Sequence, residues 1–439
     1  DVAIDDDAPG TDMVIGGTHD NGTWLTNTSL ADVDWRQRDG SDGGHCAIAD
    51  VVRDSLHLLT SRQRGVIARL KVDPITGDFL AGTQIQPAGA GGVLFINPFV
   101  MDPVENFKVY TATSNGVWRN NDYRPIRDYS GGAVTLNWDH LTTQPAGEYV
   151  SALAVSRSAN RILYYGTAEG RVFRLDAAST AAPGSVPTEL DMGPEFPAGG
   201  YVSAIAIHPD DDQQVLLAVS NYQVVSLFST TDGGAVWENV EGNLGSADGP
   251  SIGDVAIVPV DALYDPPGSV QRDVYFAATT TGLYSAVHLA DGATEWRLEA
   301  PDLIGNVVVV SLATRPSDGT VVAGTHGKGV YSIDLGGVAA ARDEELPAAG
   351  RLAQNAPNPF NPKTTIAFDL PRSEAVTLTV HDVAGRLVRT LAADERLPAG
   401  RHAREWWGRD DQGRPVASGV YLYRLEAGGR SETKRMTLI

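Results

Sequence analysis

Along the first three quarters of the chain, short apolar or β-branched runs alternate with turns rich in Gly, Asp, Asn and Pro. No segment there carries a convincing 3.6-residue apolar period, so the pattern predicts strands. One motif recurs: a strand, Gly or Ala then Thr, two or three polar residues, Gly, and a second strand opening on Val or Leu and an aromatic. It reads VIGGTHDNGTW (Val14 to Trp24), VYTATSNGVW (Val109 to Trp118), YYGTAEGRVF (Tyr164 to Phe173), FAATTTGLY (Phe276 to Tyr284) and VAGTHGKGVY (Val322 to Tyr331). Weaker copies are LLTSRQRGVI (Leu58 to Ile67) and LAVSNYQVVSLF (Leu217 to Phe228).

Anchored on Thr18, Thr60, Thr113, Thr167, Ser220, Thr279 and Thr325, the seven copies recur every 42 to 59 residues. A strand-like run precedes most anchors, and tryptophan segments at Trp35, Trp138, Trp237 and Trp296 follow several, which makes four strands per unit. An all-β, seven-bladed β-propeller over residues 1–335 is the expected architecture, because ring closure protects the sheet edges. A stacked solenoid is the alternative, but its repeats are usually shorter. DVAI at Asp1 to Ile4 reads as the first strand of unit one, whereas the last unit shows no fourth strand after Leu335. That strand is expected from residues upstream of Asp1, from another segment, or from a second molecule. A sequence opening on Asp1 reads as processed or incomplete.

Residues 336–350 read as an Ala/Gly/Glu/Pro linker, and from Arg351 the repeat is gone. Strand patterns at Thr364 to Leu370, Val376 to Asp382, His402 to Trp407, Val420 to Ala427 and Thr433 to Ile439 predict a small Ig-like β-sandwich over 351–439. Charge divides the chain the same way. Residues 351–439 hold 14 Lys+Arg against 10 Asp+Glu, a net +4, so the remainder of the −21 total is −25. A basic module on an acidic body favours docking onto such a body, its own or a neighbour's, or onto an anionic surface.

Several blocks in order carry a family resemblance: QNAPNPFNPKTTIAFDLP (Gln354 to Pro371), VTLTVHDVAGRLVRTL (Val376 to Leu391), AGRHAREWWGRDDQGRPVASGVYLYRL (Ala399 to Leu425) and the terminal KRMTLI. Together they resemble the C-terminal secretion-sorting domain of the type IX system and the related immunoglobulin-like domain of flagellar hook-capping proteins. The motif residues are Pro357, Asn358, Pro359, Phe360, Asp382, Gly385, Arg386, Gly419 and Tyr421. His381 stands where that family usually has Tyr. The resemblance implies dealings with the secretion machinery, passage across the outer membrane and an extracellular or cell-surface location, with the domain kept or removed. An ordinary Ig-like domain with no export role is the plainer alternative. TTDGGAVW, through Thr230, Asp232, Gly234 and Trp237, matches the Asp-box pattern. With GGTHDNGTW and DGSDGGHCAI, it resembles bacterial propellers related to sialidase-repeat and sortilin-type proteins, where the box is structural.

Composition narrows the function. With 42% hydrophobic and 20% charged residues the chain is globular, and no run reaches the length of a membrane span. The acidic balance argues against nucleic acid as a partner. Cys46 is the sole cysteine, so no disulfide forms within the chain. Sialidase-type hydrolysis needs clustered arginines, and few stand at equivalent positions of the repeats. Other propeller glycosidases use two carboxylates across a groove, and among 45 acidic residues no pair can be chosen.

The most polar constellation is His19 and Asp20 on one turn with Asp39, Asp42 and His45 on the next, a candidate loop binding site for a metal or, through oxygen ligands, for calcium. The same residues also satisfy the demands of tight turns. Of Trp406 and Trp407, strand alternation puts one inside and one outside. Taken together, the residues point to a secreted, non-enzymatic structural or interaction protein, self-assembling through its C-terminal domain and an incomplete last blade. The rival readings are an extracellular glycan hydrolase and a monomeric ligand-binding or adhesin propeller, with surface glycans as partners.

Overall fold

The computed structural model describes residues 1–439 except 6–12, 27–34, 53–54, 75, 143–147, 246–248, 261–271, 336–350, 353–354, 356–357, 371–373, 383–384, 398–399 and 428–429. The chain is all-β in character and divides into two compact units, Asp1–Gly336 and Gly337–Ile439. No helix among the described residues is long and apolar enough to cross a membrane.

In the first unit the described residues form antiparallel sheets that follow one another along the chain, six with four strands and a final one with three. Their leading strands are Val2–Ile4, Gly43–Val52, Phe99–Met101, Val150–Val155, Val202–Ile207, Ile252–Val260 and Val309–Arg315. Each leading strand packs beside the next, and Val309–Arg315 returns to pack beside Val2–Ile4. As expected from DVAI, Val2–Ile4 pairs with Val14–Thr18. The last sheet ends on Val330–Asp334, with no fourth strand among the described residues.

The Gly/Ala-Thr anchor has a local cause. The side chains of Thr18, Thr113 and Thr279 donate to Gly22 O, Gly116 O and Gly282 O across their own hairpin, at 2.8–2.9 Å. A small residue before the threonine lets the next sheet approach: a Cβ at Gly166 would overlap Val202, and one at Gly324 would press on Val2.

Apolar side chains between sheets supply the cohesion. Leu216, Ile252, Tyr275 and Trp296 share one cluster, and Leu163, Tyr165, Phe173 and Leu175 another. Each aliphatic side chain fully buried in this way contributes roughly 1.5–3 kcal/mol. Polar stitches add register. Four leading strands slip at the same place, between Val150/Ala152, Val202/Ala204, Ile252/Asp254 and Val309/Ser311. A bulge turns one side chain out of the ladder. Ser151 Oγ thereby donates to Val202 O at 2.6 Å, and Ser203 Oγ to Ile252 O at 2.9 Å, joining consecutive sheets.

The second unit pairs a three-stranded sheet (Arg351–Leu352, Thr364–Leu370, Gly400–Trp406) with a four-stranded one (Leu387–Leu397, Glu374–Asp382, Gly419–Ala427, Arg430–Leu438). Phe360, Phe368, Val376, Val380, Trp406, Tyr423 and Met436 fill the core. Trp406 is 1% exposed and Trp407 51%, as alternation requires. Leu387–Leu397 was not among the expected strands. Three register shifts against Glu374–Asp382 break its apolar alternation, which hides it from a period-two reading.

Candidate functional site

Glycine builds the loop region that the sequence singled out. A Cβ on Gly17 would overlap Gly44 O, one on Gly22 would overlap Asp39 O, and one on Gly43 would overlap Gly22 O. Backbone therefore touches backbone between the His19–Asp20 turn and the turn leading into Gly43–Val52. Asp20 N donates to Asp42 Oδ1 at 3.0 Å, and Asp42 N to Gln63 Oε1 at 3.3 Å on a third turn. His19 Nδ1 lies 3.2 Å from Asp20 Oδ2, and the imidazole leans on Phe95 with ring centroids 6.0 Å apart.

The five-residue constellation does not hold together. His19, Asp20 and Asp42 converge, but Asp39 is buried. It sits at the end of an outer strand opposite Thr23, where its carboxylate accepts from Thr60 Oγ1 at 3.0 Å and Arg62 Nε at 2.8 Å and also pairs with Arg62 Nη2. Those bonds consume its oxygens, which makes Asp39 a strut. His45 turns to the leading strands, 3.6 Å from Asp1 Oδ2, where burial lowers its pKa to about 4. Asp254, on the sixth leading strand, is its electrostatic neighbour. Burial pushes Asp254 up to about 6 against the pull of hydrogen bonds from Leu312 N (2.7 Å) and Val255 N (2.8 Å).

Arginines occupy comparable positions on three consecutive sheets. Arg69, Arg119 and Arg174 stand on the third strands of the second, third and fourth sheets. Each reaches into the sheet that follows: Arg69 to Tyr123 O, Arg124 O and Ile126 O, Arg119 to Ala178 O and Ala181 O, and Arg174 to Gly233 O. The same guanidinium groups also pair with Asp128, Asp139 and Asp176, so these arginines hold the sheets in register.

Two recesses border the leading and outer strands. One, about 190 Å³, lies where the leading strands end and is lined by Ala154, Arg157, Ala206, His208, Ala256 and Thr314 among others. His208 Nε2 is bonded to Asp273 Oδ1 at 3.0 Å, and its Nδ1 accepts from Asp210 N at 3.1 Å. Burial opposes its charge, yet Asp273 raises its pKa above the ordinary value. The other, about 470 Å³, is shallow and includes Arg171, Glu189, Asp191 and Phe196. Arg171 clamps Glu189 through Nε at 2.7 Å and holds that carboxyl below the usual range.

Thr230, Asp232 and Gly234 form one compact turn. Asp232 Oδ1 accepts from Thr230 Oγ1 (2.8 Å), Ala235 N (2.9 Å) and Val236 N (3.0 Å), and Thr230 Oγ1 accepts from Gly234 N (3.0 Å). Trp237 packs against the cluster joining the fourth and fifth sheets. In the second unit Asp382, Gly385 and Arg386 close a turn: Oδ1 accepts from Arg386 N at 3.0 Å, Oδ2 from Arg386 Nε at 2.7 Å, and Gly385 has φ +78°.

The sequence reading passed over a second copy, Asp410-x-x-Gly413-Arg414. It repeats the geometry, with bonds of 2.9 Å from both Arg414 N and Nε and φ +77° at Gly413. The repeated Asp-x-x-Gly-Arg spacing was the available signal. Asn358 Oδ1 accepts from Thr437 N at 2.8 Å, Phe360 N donates to Thr437 O while Phe360 O accepts from Ile439 N, both at 3.0 Å, and Tyr421 lies edge-on to Trp406. Asn358–Pro359 is cis, and Gly419 pairs with Leu438. Pro357 lies outside the described residues.

Residues 355–431 match the FlgD Ig-like domain. No curated protein matches the chain. Among solved structures the chain is similar to PorZ, described as an essential bacterial surface component of the type-IX secretion system of Porphyromonas gingivalis: 16% identity, TM-score 0.35, covering 100% of this chain and 51% of that one. The chain thus spans about half the length of PorZ. It is also similar to the Myceliophteria thermophila Cps50 (Swd1) beta-propeller domain (13%, TM-score 0.47, 75% of this chain and 94% of that one) and to the Niastella koreensis GH74 enzyme (14%, TM-score 0.37, 97% and 71%).

Proposed function

We propose that residues 1–335 form a seven-bladed β-propeller and that the chain is a secreted, non-enzymatic structural or interaction protein that associates with copies of itself. The charge division carries this reading: the −25 body and the +4 Ig-like unit are complementary surfaces on one chain. The three-stranded last sheet offers a second contact, with Val330 and Ile333 exposed on its outer strand. The PNPFNP, Asp-x-x-Gly-Arg and ASGVYLYRL blocks support assigning 351–439 to export through the type IX route and placing the protein at the cell surface or outside the cell.

For the glycan-hydrolase alternative, Glu189 is unsuited to serve as the acid. A glycosidase pair needs one carboxyl protonated at working pH. In the 470 Å³ recess Glu189 is clamped ionised by Arg171. Sedimentation of the full chain across a salt series tests the proposal. Self-association that weakens with salt, and is lost on deletion of 351–439, is the expected result. Unchanged association after that deletion, or a monomer at every salt concentration, overturns it.

A further inference from the structure

We propose that His19, Asp20 and Asp42 form a three-ligand site for a divalent cation of the zinc, cobalt or manganese type. The inference stands on side-chain geometry and is independent of the self-association reading. The three residues come from turns serving two different sheets, yet their ligand atoms all lie within 4.8 Å of one another. His19 Nδ1 and Asp20 Oδ2 are 3.2 Å apart. Two ligands on a tetrahedron with bonds of about 2.0–2.1 Å stand about 3.4 Å apart, so this pair already spans one edge. Asp42 supplies the third ligand atom within that 4.8 Å, and Asp20 N, bonded to its Oδ1, ties that carboxylate to the other turn.

The turns that carry the donors are held against each other before any ion arrives. Gly17, Gly22 and Gly43 let the two turns interlock so closely that side chains are excluded, and Phe95 supports the imidazole from a further loop. Donor chemistry selects the ion. One imidazole nitrogen with two carboxylates suits zinc and its first-row neighbours, whereas calcium takes six to eight oxygens. His19 and Asp20 are exposed and Asp42 is half-buried, so a fourth position faces solvent and admits water or a ligand oxygen.

The test is cobalt titration of the full chain followed by visible absorption, with zinc competition measured by calorimetry. One cobalt per chain with a low-symmetry spectrum, displaced by zinc, is expected. His19→Ala and Asp42→Asn should each weaken binding by at least the roughly 10–100-fold that even outer-shell partners contribute. Asp42→Asn keeps an amide oxygen for Asp20 N, so its fold is preserved. His326→Ala, an exposed histidine elsewhere, should bind as the parent does. Absence of stoichiometric binding, or equal affinity in His19→Ala, Asp42→Asn and the parent, overturns the site.

Discussion

Asp254→Asn should change sign in its effect on stability between acid and neutral pH. The carboxyl sits on the sixth leading strand and bridges to Leu312 N on the seventh. Its pKa rises from 3.8 to about 6 on folding, chiefly by burial. A carboxyl with a raised folded pKa favours the folded state while protonated, and that advantage disappears as pH climbs from about 4 through about 6. The displacement corresponds to about 3 kcal/mol lost by pH 7.

Asparagine cannot ionise, so it escapes this loss, but it has one acceptor oxygen for two backbone N–H groups. Leaving one of them unpaired costs about 1–3 kcal/mol at every pH. The variant should therefore be less stable than the parent near pH 4 and equal or more stable at pH 7.5, with the difference between the two moving by about 3 kcal/mol. His45, lowered to about 4 by burial, loses its stabilising neutral form as pH falls from about 6.5, but it does so in both proteins and largely cancels. Urea denaturation of both proteins at intervals from pH 4 to 8 reads the difference. A stability difference that stays flat across that range would refute the reasoning.

Other outcomes follow from individual contacts. Asp102 is fully buried and accepts from Arg161 Nε (3.2 Å), Tyr110 Oη (3.3 Å), Val104 N (3.1 Å) and Glu105 N (2.8 Å); Asp102→Ala strands the Arg161 charge and should destabilise by about 3–5 kcal/mol in denaturant titration. Gly17→Ala should separate the two interlocked turns, lowering the melting temperature and abolishing cobalt binding together, since its Cβ would meet the Gly44 carbonyl. Asp382→Ala and Asp410→Ala remove equivalent turn carboxylates, so each should lower the second unit's melting temperature to a similar degree, read by calorimetry.

Much of this architecture was legible because it repeats. The Gly/Ala-Thr anchor is a hairpin whose threonine bonds its own turn, so each copy announces one sheet, and DVAI is readable as a leading strand by its likeness to Asp254 to Ile257. Leu387–Leu397 was illegible because bulges shift its register and charged residues blur its faces. The loop constellation was half legible. Polar residues cluster on two turns in sequence, but only the register reveals that Asp39 ends its strand opposite Thr23, facing Thr60 and Arg62, while Asp42 stays on its own turn beside His19 and Asp20. Nothing in the sequence marks the third-strand arginines as a set. Their role becomes visible only when each is seen reaching carbonyls of the following sheet.

Self-association is tested most directly by electron microscopy of the untagged full-length protein, with intact mass recorded on the same sample. The account predicts filaments, sheets or other ordered assemblies of chains that retain residues 351–439 and that disperse as salt is raised. Dispersed single particles at every salt concentration, built from chains lacking about ninety C-terminal residues, would contradict it and make the Ig-like unit a discarded tag.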